Sequence, residues 1–209
     1  MMKVYGYPKT RATRITWMLE ELGEQYEFCL VDFKKGESQS PEYLAINPAG
    51  KVPAFGHDGL LLLESAAILA YLGDIHPASK LVPVAGTAER AVYDQWSYFA
   101  LCELEQPLWT IGKNTFALPK EHRCAEIFPT AQWEFQKALT LFSAGLGDNP
   151  YILGENFSAA DILLGHTLLW AIAFKQPIKQ ENLVAYVDRM KSRPALAQAS
   201  AKEAAALEG

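Results

Sequence analysis

Over the first 75 residues, the spacing of apolar residues changes several times between a strand pattern and a helix pattern. The order of these patterns constrains the fold more than any other feature. Short segments of alternating apolar and polar residues predict strands, and longer segments with apolar residues three and four apart predict helices. The predicted strands are 3–7, 26–32, 52–55 and 60–63. The predicted helices are 11–22, a short helix that opens at Ser40-Pro41, and 65–75. The chain therefore begins with elements in the order β-α-β-α-β-β-α.

Local signals support these boundaries. Thr10 can cap the start of the first helix, and Gly23 stands where a helix ends in a left-handed residue. Asp58-Gly59 is a hairpin signal between the third and fourth strands. This element order is that of a thioredoxin-like domain. We therefore predict an α/β thioredoxin-like N-terminal domain over residues 1–76.

Prolines and a glycine interrupt the helical pattern between 77 and 86, where we place a linker. After this linker no convincing strand pattern remains, so we predict an all-α helical-bundle C-terminal domain over 87–209. Ser158 and Asp161 form a capping box before an apolar helix. The predicted helices are 88–115, 120–145, 159–174, 181–192 and 195–207, with Pro107 and Pro129 expected to kink or break the first two.

Composition and charge exclude several classes of function. The net charge is −5 and no run of Lys or Arg offers a surface for phosphates, so we expect no nucleic-acid partner. The longest apolar stretch, 159–174, contains Asp161 and His166 and is too short for a membrane span. Three widely spaced cysteines and a strand-like start predict a cytoplasmic protein without a signal peptide. The histidines show no metal-ligand spacing, and we predict no metal.

Four stretches of the sequence resemble the cytosolic glutathione transferases, most closely their bacterial members. They are 5–11 continuing into 17–23, then 47–55, 63–72 and 157–162. The resemblance implies a two-domain transferase that binds reduced glutathione as co-substrate in its first domain. It also implies a small apolar electrophile held against the helical domain, and a homodimer with surfaces near helices 65–75 and 88–115.

The glutathione thiol requires a donor, because only about 3% of a thiol with a pKa near 8.5 is ionised at pH 7. Lowering that pKa by two units takes about 2.7 kcal/mol, which a hydroxyl at a helix N-terminus can supply. Thr10 is the first candidate, followed by Tyr7 and then Tyr5, and Arg11 can polarise the hydroxyl or hold the product. The turn contains no cysteine, which argues against a mixed disulfide with the protein.

The rest of glutathione presents backbone, two carboxylates and an amine. The resemblance implies a cis Val52-Pro53 bond that leaves the Val52 backbone accessible to the cysteinyl part. Ser65, at a helix start, is an anion site for the γ-glutamyl carboxylate, and Glu64 can take the amine. The lysines that can face a carboxylate are Lys51 and, more weakly, Lys34 and Lys35.

The substrate pocket and the reaction itself are less constrained. The aromatic candidates for an electrophile pocket are Tyr98, Trp109 and Phe116. Resembling bacterial sequences often carry Ser where this chain has Ala12, and conjugation would be weak if that Ser is their activator. Two alternatives therefore stay open. One is a glutathione-dependent disulfide reductase that uses two glutathiones and no protein cysteine, and the other is a non-enzymatic binding or stress protein with the same fold.

Overall fold

A computed structural model describes residues 1–208. They form two compact units. The first contains Met1–Val82 together with the described residues from Lys191 onward, and the second is Pro83–Met190. Nine α-helices occur in the described residues: α1 Ala12–Leu22, α2 Pro41–Leu44, α3 Ser65–Ile75, α4 Ala88–Phe99, α5 Gln106–Gly112, α6 Phe128–Leu146, α7 Ala159–Ala173, α8 Glu181–Lys191 and α9 Pro194–Ala205.

The first unit contains a four-stranded mixed sheet. Its strands are β1 Met2–Gly6, β2 Tyr26–Leu30, β3 Ala54–His57 and β4 Leu60–Leu63, in the spatial order β2-β1-β3-β4. Strand β1 is parallel to β2 and antiparallel to β3, and its Val4 pairs with Phe28 and Phe55. The predicted thioredoxin-like element order is thus confirmed. Strand β3 begins two residues later than predicted, because Pro53 has no N–H to donate to a ladder.

Apolar residues of α1 and α3 bury one face of this sheet. Ile15, Met18 and Leu19 of α1 are fully buried, as the apolar spacing predicts. Helix α1 ends at Gly23, whose φ of 71° is the left-handed conformation predicted for it. The Asp58-Gly59 turn has positive φ at both residues, which matches the right-handed twist of the β3–β4 hairpin.

The second unit is helical throughout, apart from an isolated bridge between Tyr151 and Gly154. The α-helix predicted over 88–115 is interrupted just before Pro107, where a kink or break is expected. A π-helical turn over Ala100–Glu105 comes directly before α5, and its wider spacing accommodates a proline that lacks an N–H and crowds the preceding turn. The helix predicted from residue 120 instead begins at Phe128, because Pro129 suits a first helical turn.

The capping box at the start of α7 is confirmed. The Ser158 backbone N–H donates to Asp161 Oδ2 at 2.9 Å, and the Ser158 side chain accepts from the Asp161 backbone N–H. Tyr186 and the Ile152 N–H also donate to the same carboxylate, at 2.9 and 2.8 Å. No helix within residues 1–208 combines the length and the apolar character that crossing a membrane requires.

The last helix belongs to a different unit from the one that the sequence predicts. The sequence groups 195–207 with the helical domain, whereas α9 packs against α1 within the first unit. Two contacts distant in sequence explain this: Arg193 pairs with Glu21, and Glu203 accepts from Thr16. Helical periodicity alone carries no information about such contacts.

Candidate active site

The turn between β1 and α1 is closed by the Thr10 side chain. The Thr10 hydroxyl donates to the Tyr7 carbonyl at 2.6 Å and accepts from the Ala12 N–H at 3.2 Å. Arg11 takes the N-cap position of α1 and its side chain makes no capping hydrogen bond, so the cap predicted for Thr10 acts one residue earlier. The half-buried Thr10 oxygen therefore lies at the positive end of the α1 dipole.

The two tyrosines near this turn are both partly exposed. The ring of Tyr7 packs against Phe33, with 5.2 Å between the ring centroids. The ring of Tyr5 faces Tyr43 at 6.4 Å. Each tyrosine thus has an aromatic neighbour within the first unit, and Tyr7 is the closer in sequence to Thr10.

The segment before β3 holds Lys51 and Val52 through their backbone. The Lys51 carbonyl accepts from the Tyr43 hydroxyl at 2.6 Å and from the Asn47 amide at 2.7 Å, while its side chain is exposed. The Val52-Pro53 peptide bond is cis, as the resemblance implies. Two hydrogen bonds from different residues thus fix the position of the Lys51–Val52 backbone.

The corner between β4 and α3 holds Glu64 and Ser65, two of the residues predicted to bind glutathione. Glu64 is exposed and has a φ of 66°, an uncommon conformation for a residue other than glycine. Ser65 follows as the first residue of α3 and is buried, with 5% of its surface exposed. Backbone N–H groups at a helix start point outward and favour a negative charge. Ser65 therefore lies where the α3 dipole favours an anion, and Glu64 lies beside it at the N-cap.

Arg14 completes this corner and was missed by the sequence analysis. It is fully buried in α1, and its Nη1 atom donates to Ser65 Oγ at 3.1 Å. The signal was present, since Arg14 shares a helix stripe with Met18 four residues later, and a charge in an apolar stripe requires a partner. Arg14 follows Thr10 by four residues, so the first turn of α1 connects the Thr10 turn with the Ser65 corner.

The remaining lysine candidates lie at the surface. Lys34 and Lys35 are exposed, in a short 3-10 turn capped by Asp32. The Lys35 ammonium lies 3.8 Å from Asp32, at the limit of an ion pair. The structure gives them no contact with the Ser65 corner.

In the second unit, aromatic rings gather around two of the three predicted pocket residues. Trp109 lies 6.3 Å from Phe116 and 6.4 Å from Trp170, measured between ring centroids. Phe174 joins Phe116 at 6.0 Å and Trp170 at 5.9 Å. We call these four residues the aromatic cluster. Tyr98, the third predicted residue, is 65% exposed on α4 and is outside the ring contacts of this cluster.

The sequence analysis missed Trp170 and Phe174. They lie four residues apart on α7 and just after it, so they share one helix face. The sequence analysis treats the apolar run that contains them only as a capped helix that is too short to span a membrane. Within residues 1–208, no group of three His, Cys, Asp or Glu side chains is placed to hold a metal ion.

Comparisons with known proteins agree with this arrangement. Residues 1–74 match the family model described as glutathione S-transferase, N-terminal domain, and 108–194 match the model of the C-terminal domain. The chain is 30% identical to glutathione S-transferase GstA of Escherichia coli O157:H7 over 205 residues, covering 97% of this chain and 98% of that protein. It is 32% identical to the disulfide-bond oxidoreductase YfcG of Escherichia coli K12 over 219 residues, covering 97% and 95%.

A solved structure is also similar. It is a glutathione transferase from Burkholderia graminis with two glutathione molecules bound per subunit. It superposes with a TM-score of 0.81 at 27% identity and covers 95% of this chain and 87% of that one. A thioredoxin-like sheet with an anion corner, accompanied by a helical unit, defines a class of glutathione-handling proteins. The chain belongs to the glutathione S-transferase family.

Proposed function

We propose that this protein is a glutathione S-transferase that ionises the thiol of reduced glutathione for attack on a small apolar electrophile. The observation that carries the proposal is the hydrogen bond from buried Arg14 to Ser65 at the start of α3. A hydroxyl that accepts from a cation has its own proton to give to an anion, here the γ-glutamyl carboxylate. Glu64, exposed beside it, takes the α-amine.

Thr10 is the proposed thiol activator. Its hydroxyl lies at the N-terminus of α1, where the helix dipole favours a thiolate. In the structure that hydroxyl donates to the Tyr7 carbonyl, so bound glutathione must draw the proton away from this intramolecular bond. Tyr7 is the alternative donor and Tyr5 the next, while Arg11 at the N-cap strengthens the local positive potential.

Other groups of the first unit hold the remainder of the tripeptide. The Val52 backbone pairs with the cysteinyl part in the manner of an added strand. Support comes from its neighbour Lys51, whose carbonyl is fixed by Tyr43 and Asn47. The Lys51 side chain is exposed and faces a carboxylate in this assignment, and Lys35 is the weaker candidate for the glycyl end.

The electrophile binds to the aromatic cluster of the second unit. Trp109 and Trp170 are partly exposed and Phe116 is 57% exposed, so a flat apolar substrate can reach their rings. Aromatic rings prefer offset or edge-on contacts with other rings. We therefore propose an aromatic electrophile.

A homodimer in the cytoplasm is the proposed state of the protein. Leu60 and Leu61 of the edge strand β4 are 41% and 44% exposed, and a second copy would cover such an apolar edge. The three cysteines carry free thiols, which suits a reducing compartment. Light scattering tests the dimer, because Leu61→Lys should halve the measured mass. An unchanged mass would remove β4 from the interface.

Disulfide reduction is the second candidate. It is favoured by the similarity to YfcG. Because the turn before α1 contains no cysteine, this reaction would use two glutathiones and no protein thiol. Turnover assays separate the two reactions. Wild-type protein is supplied with glutathione and either a halogenated nitrobenzene or a hydroxyalkyl disulfide. Faster turnover of the nitrobenzene supports the transferase, faster turnover of the disulfide supports the reductase, and no turnover of either would contradict both.

A further inference from the structure

Helix α9 lies along α1 in the opposite direction, with a polar contact near each end. Near the start of α9, the Arg193 guanidinium donates two hydrogen bonds to the Glu21 carboxylate, at 2.6 and 2.7 Å. In the last turn of α9, Glu203 reaches the start of α1. The helix therefore contacts both the end of α1 and the turn that precedes it.

Glu203 is 1% exposed and accepts three hydrogen bonds. The Thr16 hydroxyl donates to Oε1 at 2.6 Å, and the Thr13 hydroxyl donates to Oε2 at 2.9 Å. The Lys9 backbone N–H also donates to Oε2, at 3.4 Å. Lys9 directly precedes Thr10 and has a φ of 62°, so one carboxylate oxygen contacts both the strained turn and the first turn of α1.

A carboxylate is unfavourable at this place by itself. The last turn of α9 carries the negative end of its dipole, and burial removes the water that would solvate the charge. The start of α1, which the carboxylate contacts, carries a positive end that offsets part of this cost. Burial raises the pKa of Glu203, and the bonds from Thr16, Thr13 and Lys9 oppose that rise. An apolar side chain would fill the same space without this cost. The acceptor oxygens are therefore what Glu203 contributes.

We propose that Glu203 is a positioning residue for the thiol-activating turn. Its Oε2 atom links the Lys9 amide to the Thr13 hydroxyl, and this link fixes the backbone on either side of Thr10. Held in this way, the Thr10 hydroxyl stays at the start of α1, where it can turn from the Tyr7 carbonyl to the thiol of bound glutathione. The inference rests on the proposed function, since it takes Thr10 as the activator.

Two substitutions at Glu203 separate positioning from simple stabilisation. Glu203→Met keeps an unbranched side chain of similar length and removes both acceptors. Glu203→Gln keeps one acceptor for Lys9 and Thr13. Its amide can donate to Thr16, whose hydroxyl then turns fully to the Thr13 carbonyl, already 3.2 Å away. Arg193→Met is the matched control, because it removes the ion pair at the opposite end of α9 and leaves the turn untouched.

The readouts are the ultraviolet difference titration of bound glutathione thiolate and the split between kcat and KM. We expect Glu203→Met to move the thiolate titration to higher pH and lower kcat about tenfold, as misplacement of a reacting group does. Glu203→Gln should keep most of the wild-type kcat and a thiolate titration close to that of the wild type. Arg193→Met should lower only the stability.

If Glu203→Met lowers only the stability, as Arg193→Met is expected to do, the inference is overturned and the proposed function stands. If Glu203→Met does not fold, Thr13→Val breaks the same link from the α1 side. A shifted thiolate titration in Thr13→Val then supports the inference, and an unshifted one overturns it. The absence of a thiolate signal in the wild type would remove the proposed function and this inference with it.

Discussion

Arg14 Nη1 lies 3.1 Å from Ser65 Oγ, and both side chains are buried where α1 meets the start of α3. A permanent cation thereby orients a hydroxyl that stands at a helix N-terminus. The guanidinium adds positive potential at a position where the α3 dipole already favours an anion. The Glu64-Ser65 corner therefore carries the positive potential that the proposed carboxylate site requires.

Removing the Ser65 hydroxyl should weaken glutathione binding. A hydrogen bond to a charged group is worth about 1.5–3 kcal/mol, so Ser65→Ala should raise the Kd for glutathione roughly ten- to a hundredfold. Isothermal titration calorimetry measures it. Thr87→Ala is the matched control, since Thr87 caps α4 in the second unit and its loss should lower stability by about 1 kcal/mol without changing Kd. Equal Kd values for wild type and Ser65→Ala would reject the assignment.

Much of the first unit could be predicted from sequence because its signals are local. The apolar spacing of α1, the left-handed Gly23 and the Asp58-Gly59 turn each depend on a few neighbouring residues. Ser65 could be placed in the same way, as a serine at the start of a helix.

What the sequence analysis missed depends on contacts between distant residues. The role of Arg14 depends on its hydrogen bond to Ser65, 51 residues later. The position of α9 depends on the bond from Thr16 to Glu203, 187 residues apart. Pro107 was expected to interrupt a helix, and the π-helical turn that accommodates it has no simple sequence signature. The aromatic cluster likewise joins residues of α5 and α7, which no single helical pattern brings together.

Within the aromatic cluster, Phe116→Ala should impair binding of the electrophile and spare glutathione. A ring contact is worth about 0.5–1.5 kcal/mol beyond its buried area, so KM for an aromatic electrophile should rise roughly two- to tenfold. Tyr98→Ala is the control, because Tyr98 is similarly exposed but lies outside the cluster. Steady-state kinetics with each substrate varied in turn measures both KM values. Equal effects of the two substitutions would remove the cluster from the substrate site.

Asp161 should be a determinant of stability and not of chemistry. Its carboxylate accepts from the Ile152 and Ser158 N–H groups and from two hydroxyls. In Asp161→Asn one backbone N–H must face the new amide, and an unsatisfied buried donor costs about 1–3 kcal/mol. Urea denaturation should show that loss of unfolding free energy. A stability within error of wild type would mean that the second carboxylate oxygen contributes no net energy.

Glu203 should give the protein a measurable loss of stability as the pH rises. Burial raises its pKa in the folded state above the ordinary value of 4.5, so the folded protein holds this proton more tightly than the unfolded chain. Its stabilising effect is present below pH 4.5 and is lost as the pH rises through the higher folded-state pKa. The difference in unfolding free energy between wild type and Glu203→Gln, measured across this range, should therefore fall with pH. A flat or rising difference would contradict the direction of the shift.

The central claim is that the Thr10 hydroxyl ionises glutathione, and an ultraviolet difference titration with pH tests it most directly. Wild type, Thr10→Ser and Thr10→Val are each saturated with reduced glutathione. The account predicts a thiolate band near neutral pH in the wild type and in Thr10→Ser, which keeps the hydroxyl. In Thr10→Val, which keeps the shape, the band should appear only about two pH units higher, near the pKa of free thiol. A band in Thr10→Val at the wild-type pH would contradict the claim and would assign activation of the thiol to Tyr7 or Tyr5.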